Sequence, residues 1–367
     1  MVLHPGEVLA MESVAILAVA ASPRLRVAGQ WLVLALLCAA SFSLLAVTFA
    51  TTEWKDAFKG FPAIFLCGVC FWIVAQRVHK WGRPYRIVCS CLTSVACLFV
   101  GAIIAWSLLD TAVRYLPYVY DPVLFRFDYI LNLNIFYHLA VLLGNHPQLY
   151  QLILVLYKYN LVFAIPAIFS EAFHTRKAAS TLPLELLLSS FLVFPFFCMV
   201  PALAPAFFFG GAFPSALPSA MALPLHAVVA PASSIRNTFP SLHASWAILC
   251  VLALRDSPLW HRLVGISYMF FIFVATLGFG EHYAIDWLGA MPLVLVVRSL
   301  AALPRPAKVW FPPLICGLLL LFGWVLEIQH ADFVRELPVC LWGLAGMSLI
   351  LPIWFEAKLA VAERKTC

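Results

Sequence analysis

Charge is what this sequence has least of. Only 11% of its 367 residues are charged, against about 25% in soluble domains, which excludes an ordinary soluble fold. The formal charge of +6 is scattered through short connections with no basic tract, which argues against a nucleic-acid partner. The chain also lacks a nucleotide-binding glycine loop, an internal repeat, a coiled-coil pattern and a glycosylation sequon. Its 11 cysteines lie mostly within apolar runs, and Cys67-x-x-Cys70 has no second pair at zinc-site spacing. They therefore read as small membrane residues rather than as a disulfide framework or metal centre. With no carboxylate cage either, neither metal nor cofactor is expected. Glu7 and Glu12, with no early basic cluster, match a cleavable signal peptide poorly.

What fills the chain instead is apolar sequence, 64% of residues, in runs of roughly 17–25 residues that suit a bilayer. The fold class expected is an all-α, polytopic transmembrane helical bundle. Spans are expected near Val27–Ala50, Phe61–Ala75, Ile87–Leu109, Gln148–Phe173, Leu182–Phe208, Ser241–Leu254, Leu259–Phe279, His282–Leu300, Trp310–Ile328 and Leu337–Phe355, roughly ten in all. Asp128–Leu143 carries Asn132, Asn134 and His138 and reads as a re-entrant or interfacial helix. The long connection Phe209–Phe239 is rich in Ala, Pro and Phe. Its prolines exclude a regular span, leaving either a loop packed on the bundle or a flap beside a lipid-entry groove.

Lysine and arginine gather on alternate connections, including residues 77–86, Arg176 and Lys177, Arg255 and Arg262, Arg298 to Lys308, and the tail from Lys358. By the positive-inside rule this side, with both termini, is cytoplasmic. The connection holding Arg236 then faces outward.

Chemistry concentrates in two polar clusters. Arg236-Asn-Thr-Phe-Pro-Ser-Leu-His-Ala-Ser-Trp246 precedes one span, and Gly280-Glu-His-Tyr-Ala-Ile-Asp-Trp287 opens another, so that His243 and His282 stand at the outer ends of two parallel helices. Helix N-termini favour anions through unpaired N–H groups and the dipole. Pro240 suits a first helical turn and Thr238 or Ser241 a cap. His282 and Asp286, at i,i+4, share one face, so the carboxylate can hold one imidazole nitrogen and leave the other bare for attack. His243 is available as a general acid. This division of labour suits covalent phosphoryl transfer.

These residues resemble the type 2 phosphatidic acid phosphatase, or lipid phosphate phosphatase, superfamily. Phe239-Pro-Ser-Leu-His-Ala244 resembles its second signature, with leucine where glycine is commonest, and His282-Tyr-Ala-Ile-Asp286 the end of its third. The leucine and the His-Tyr-x-x-Asp form are closest to the inositol phosphorylceramide synthase-like and sphingomyelin synthase-like branches. The resemblance implies a six-helix core, a phosphohistidine on His282, orientation by Asp286, protonation of the leaving group by His243, and phosphate held by Ser241 and nearby amides. Two family features are missing. Thr276 stands where an arginine is usual six residues before His282, and the only Arg-Pro pairs, Arg83-Pro84 and Arg305-Pro306, fall on the cytoplasmic side. Arg236, Lys158 and Arg126 are the candidate replacements for phosphate contact. Lys158 sits inside an apolar span, where Tyr157, Tyr159 and Asn160 offer it structural contacts.

The chain is thus expected to comprise accessory helices over residues 1–110, a catalytic membrane domain over 111–302, and further accessory helices with a cytoplasmic tail over 303–367. Its expected partners are the membrane, a lipid phosphate or phospholipid substrate and, for a transferase, a lipid alcohol acceptor. A lipid transporter or flippase retaining this fold is the competing class. That class would spread ionisable groups through several spans, whereas here they gather at one face. Tyr283 and Trp287 read as interfacial aromatics, and Glu281 as an exposed residue at a helix start.

Overall fold

The computed structural model describes residues 116–158, 181–230, 238–303, 305–332 and 337–366, together with Ala167, Ser170 and Glu171. The three spans expected between Val27 and Leu109 lie outside the described residues, as does Arg236.

A two-residue strand, β1 (Tyr118–Val119), precedes helices α1 (Asp121–Ile130), α2 (Tyr137–Asn145) and α3 (Pro147–Lys158). The ambiguous segment Asp128–Leu143 is split. Asn132 has a φ of 56°, and a 3-10 turn at Asn134–Phe136 separates α1 from α2. At 10 and 9 residues, neither helix reaches the ~20 that a crossing needs.

The single span expected over Leu182–Phe208 is instead three pieces: α4 (Leu182–Leu192), α5 (Phe194–Met199) and α6 (Pro205–Phe209). Pro195, Pro201 and Pro205 explain the interruptions, since each lacks the N–H that would continue a helix. The loop after α6 contains 3-10 turns at Gly210–Ala212 and Ala220–Ala222. It then forms β2 (Val228–Val229), which pairs antiparallel with β1, Tyr118 opposite Val229. This small ribbon is an addition to the all-α reading.

Five helices follow: α7 (Leu242–Ala253), α8 (Leu259–Gly278), α9 (Ala284–Ala301), α10 (Ala307–Gln329) and α11 (Pro338–Thr366). Among the described residues, α8 to α11 are long and apolar enough to cross a membrane. In α9 72% of the apolar window is buried, against 33%, 33% and 28% in α8, α10 and α11, so α9 is the central helix. Close approach to α10 requires Gly317, where a Cβ would meet Val296 Cγ2 at 2.7 Å and the Pro292 carbonyl at 3.0 Å. The core beside α9 includes Phe125, Phe127, Phe239, Tyr283 and Trp324.

One end of this bundle is tied by ions. Arg298, on the last turn of α9, pairs with Glu185 of α4 at 2.6 Å and Glu356 of α11 at 3.0 Å, and Glu356 also pairs with Arg255 after α7. The opposite ends of α7 and α9 carry the two histidines.

Candidate active site

Ser241 is the N-cap of α7. Its Oγ accepts the Ala244 amide at 3.2 Å, and its carbonyl accepts the Ser245 amide and hydroxyl. The helix therefore starts at Leu242, and Pro240 lies before the cap, joined to Phe239 by a cis peptide. That corrects the expected place of Pro240 in the first turn. The cap also directs Ser241 Oγ toward the second cluster, where His282 Nε2 stands 3.1 Å away.

His282 bridges four groups. Its Nδ1 is 3.1 Å from Asp286 Oδ2, and its Nε2 is 3.4 Å from His243 Nδ1 as well as near Ser241. A hydrogen bond with the Thr238 backbone completes the set. Burial lowers the His282 pKa to about 3, with the Thr238 contact pulling the other way, so the imidazole is neutral at ordinary pH. Asp286 Oδ2 also accepts the Tyr283 amide at 2.9 Å, the N3-to-cap bond of a capping box. One carboxylate thus starts α9 and orients His282.

The turn before α9 is built to deliver His282. Gly280 has a φ of 66°, in the left-handed region, and a Cβ there would lie 2.6 Å from Phe213. The Glu281 and His282 amides both donate to the Thr276 carbonyl. The Thr276 hydroxyl donates to the Ile272 carbonyl and accepts the Trp287 indole N–H at 3.1 Å. Thr276, expected from the resemblance to stand in place of an arginine, is therefore fully buried and packs the turn.

Two further carboxylates hold this turn, and sequence spacing did not identify them. Asp128 accepts the amides of Ala284 and Ile285, each at 2.9 Å, and the Tyr137 hydroxyl at 2.9 Å. Asp121 accepts the Tyr283 hydroxyl at 2.8 Å and the amides of Leu203 and Ala204 at 2.8 and 3.0 Å. The second amide pins a non-glycine residue at a φ of 86°. Tyr283, expected as an interfacial aromatic, is instead fully buried.

These contacts correct the expected anion site. The first amides of α9 are taken by the protein's own carboxylates. At α7 the Leu242 and His243 amides have no hydrogen-bond partner among the described residues, so any helix-end cradle for phosphate lies there. Arg126 of α1 donates to the Leu223 carbonyl at 3.3 Å and makes no hydrogen bond to the histidines. Lys158 closes α3, and its side chain lies outside what is described.

Tyr157 of α3 joins the cluster unexpectedly. Its hydroxyl is 3.3 Å from His243 Nε2 and 3.5 Å from Nδ1. Ser241 and Asp286 are fully buried and His282 is 4% exposed, while His243 and Tyr157 are half-buried. Glu281 is half-buried too, and burial raises its pKa.

Residues 122–300 match the family model described as the PAP2 superfamily. Over that segment, just under half of the chain, the protein is similar to the superfamily, and the apolar helices fit a membrane protein. The matching segment starts at the second residue of α1 and contains both histidines, Ser241 and Asp286. No curated protein and no solved structure matches the chain.

Proposed function

We propose that this chain is an integral-membrane enzyme that removes or transfers a lipid phosphate, or a phosphorylated head group, through a phosphohistidine on His282. The observation that carries the reading is the bridging position of His282, with Nδ1 against Asp286 and Nε2 facing both Ser241 and His243. In this reading Asp286 is ionised when lipid is bound and only accepts, which keeps the proton on Nδ1 and turns the Nε2 lone pair to the reacting position.

In the first half-reaction Nε2 bonds to phosphorus and the bond from phosphorus to the leaving oxygen breaks. His243 gives that oxygen a proton. In the second, water or a lipid alcohol attacks phosphorus, His243 takes its proton, and the P–N bond breaks. Water makes the enzyme a phosphatase, whereas a ceramide-like or diacylglycerol-like hydroxyl makes it a phosphotransferase of the phosphosphingolipid-synthase kind. Side chains of this chain fill each role, and none is assigned to a metal. Ser241 and the Leu242 and His243 amides are the proposed phosphate cradle, with Arg236, Lys158 and Arg126 as proposed sources of positive charge.

Residues 111–302 are the proposed catalytic unit, flanked by accessory helices. The charge bias along the sequence supports placing the termini in the cytoplasm and the site at the non-cytoplasmic face. With 12 residues, α7 rises only about 18 Å, so a site at its start would be recessed in the membrane.

The test is turnover by purified protein in lipid vesicles, using phosphatidic acid and phosphocholine lipids with and without a ceramide acceptor. Released phosphate or a transferred head group, absent in His282→Ala, supports the reading. Equal turnover by the variant contradicts it, and lipid movement without bond cleavage would favour a transporter.

A further inference from the structure

We propose that the Thr238 hydroxyl is a further ligand of the transferred phosphoryl group, donating to one of its oxygens when substrate fills the site. The inference rests on the phosphohistidine reading and deepens it, adding a donor to the cradle made by Ser241 and the first amides of α7.

Buried polar atoms are normally paired, and leaving one unpaired is costly. Two buried side-chain atoms with no hydrogen-bond partner among the described residues, Thr238 Oγ1 and Asp286 Oδ1, belong to residues that both touch His282. Asp286 does so through its other oxygen and Thr238 through its backbone. Of the two orphans only the hydroxyl can donate to a phosphate. Thr238 is 1% exposed, so the hydroxyl is not solvated from the surface.

The loop that carries it is clamped on two sides. The Ser241 amide donates to the Asp286 carbonyl at 3.1 Å, which ties the loop to the first turn of α9. The fully buried Phe239 ring lies 2.7 Å from where a Cβ on Gly289 would stand, and its centroid is 6.2 Å from that of Trp324 on α10. Ser241 provides the contrast. Its hydroxyl accepts the Ala244 amide and has His282 Nε2 3.1 Å away, whereas the Thr238 hydroxyl has neither donor nor acceptor.

Phosphoryl transfer spreads negative charge over three oxygens around the phosphorus. With His282 Nε2 bonded to phosphorus, those oxygens sit beside the residues that border His282, and one of them supplies the acceptor that Thr238 lacks. A hydrogen bond to an anion is also stronger than one between neutral groups. The strain of an unpaired hydroxyl in the free site is thereby relieved in the loaded one, which favours binding.

The experiment compares full-length wild type, Thr238→Val and Thr238→Ser in lipid nanodiscs. Valine keeps the branched shape without the donor, and serine keeps the donor. Because the hydroxyl is unpaired in the free protein, the valine variant should melt at or above the wild-type temperature. Its affinity for inorganic phosphate, read from the rise in melting temperature with phosphate concentration, should fall roughly tenfold or more. Its kcat/KM on decyl phosphate should fall at least as far, and serine should restore both. A valine variant that melts lower than wild type yet binds phosphate and turns over normally would make the hydroxyl structural and overturn the proposal. Equal losses in the valine and serine variants, or a wild type whose melting ignores phosphate, would overturn it too. The underlying reading fails separately: if His282→Ala turns over decyl phosphate like wild type, the phosphohistidine is wrong, while the phosphate titration still decides Thr238.

Discussion

Asp128 and Ala284 lie 156 positions apart and are joined by a 2.9 Å hydrogen bond from the Ala284 amide to Asp128 Oδ2. Through it a short helix outside the spans fixes where the central helix begins, and therefore where His282 stands. Asp128→Ala leaves the Ala284 and Ile285 amides buried without this acceptor, at about 1–3 kcal/mol for each unpaired group. Thermal unfolding in detergent should show the loss. Turnover per folded molecule should fall with it, because His282 is two residues from the released amide. A variant as stable and active as wild type would show that the clamp is incidental.

The same carboxylate gives a pH signature. Burial pushes Asp128, and likewise Asp121, from 3.8 up to about 7, with the donated hydrogen bonds pulling the other way. A raised folded-state pKa means the folded protein holds the proton more tightly than the unfolded chain. The linked stability is present below pH ~4 and is lost as pH rises through ~7. His282 acts with the opposite sign, since its lowered pKa makes stability rise with pH from about 3 to 6.5. The informative quantity is therefore the difference from Asp128→Asn. The thermal midpoint of wild type relative to this variant should decline between pH ~4 and ~7, and a flat difference would contradict the shift.

Ser241 has two duties that substitution can separate. Ser241→Ala removes the cap on Ala244 and should cost about 1 kcal/mol of stability as well as activity. Ser241→Asp retains a capping oxygen but puts a negative charge beside His282 Nε2. It should unfold near the wild-type temperature yet turn over less than the alanine variant. Equal activity in the two variants would remove Ser241 from the phosphate site.

Gly289 sets how closely the loop before α7 approaches α9. A Cβ there would meet two Phe239 ring atoms at 2.7 Å and Pro240 Cβ at 3.1 Å. Gly289→Ala should destabilise by about 1–3 kcal/mol through overpacking and should lower kcat by shifting the loop that carries Ser241. Wild-type melting and kinetics together would show that the loop yields freely.

The sequence exposed the local part of this site and concealed the distant part. His282 and Asp286 are four positions apart, so their contact could be read from spacing, although His282 precedes the Tyr283 cap instead of lying on the helix face, and apolar run lengths brought His243 to the same bundle end. Asp121, Asp128 and Tyr157 could not be found that way. Their partners depend on how α1 and α3 dock, and an isolated Asp or Tyr in an apolar chain carries no periodic signal. A cue lay in composition: aspartates in so uncharged a chain need buried donors, and those of α1 find them at α6 and α9. Leu182–Phe208 has the apolar length of one span, but Pro195, Pro201 and Pro205 divide it into three helices. In the sequence Thr276 stands out only as a missing arginine, although its carbonyl and hydroxyl hold the turn into His282.

The most direct measurement is to quench the enzyme during turnover of a lipid carrying radiolabelled phosphate and map the label. The account predicts a covalent phosphoenzyme, labile to acid and stable to base, with the label on His282 and lost in His282→Ala. Turnover with no such adduct, or with the label on another residue, would contradict it.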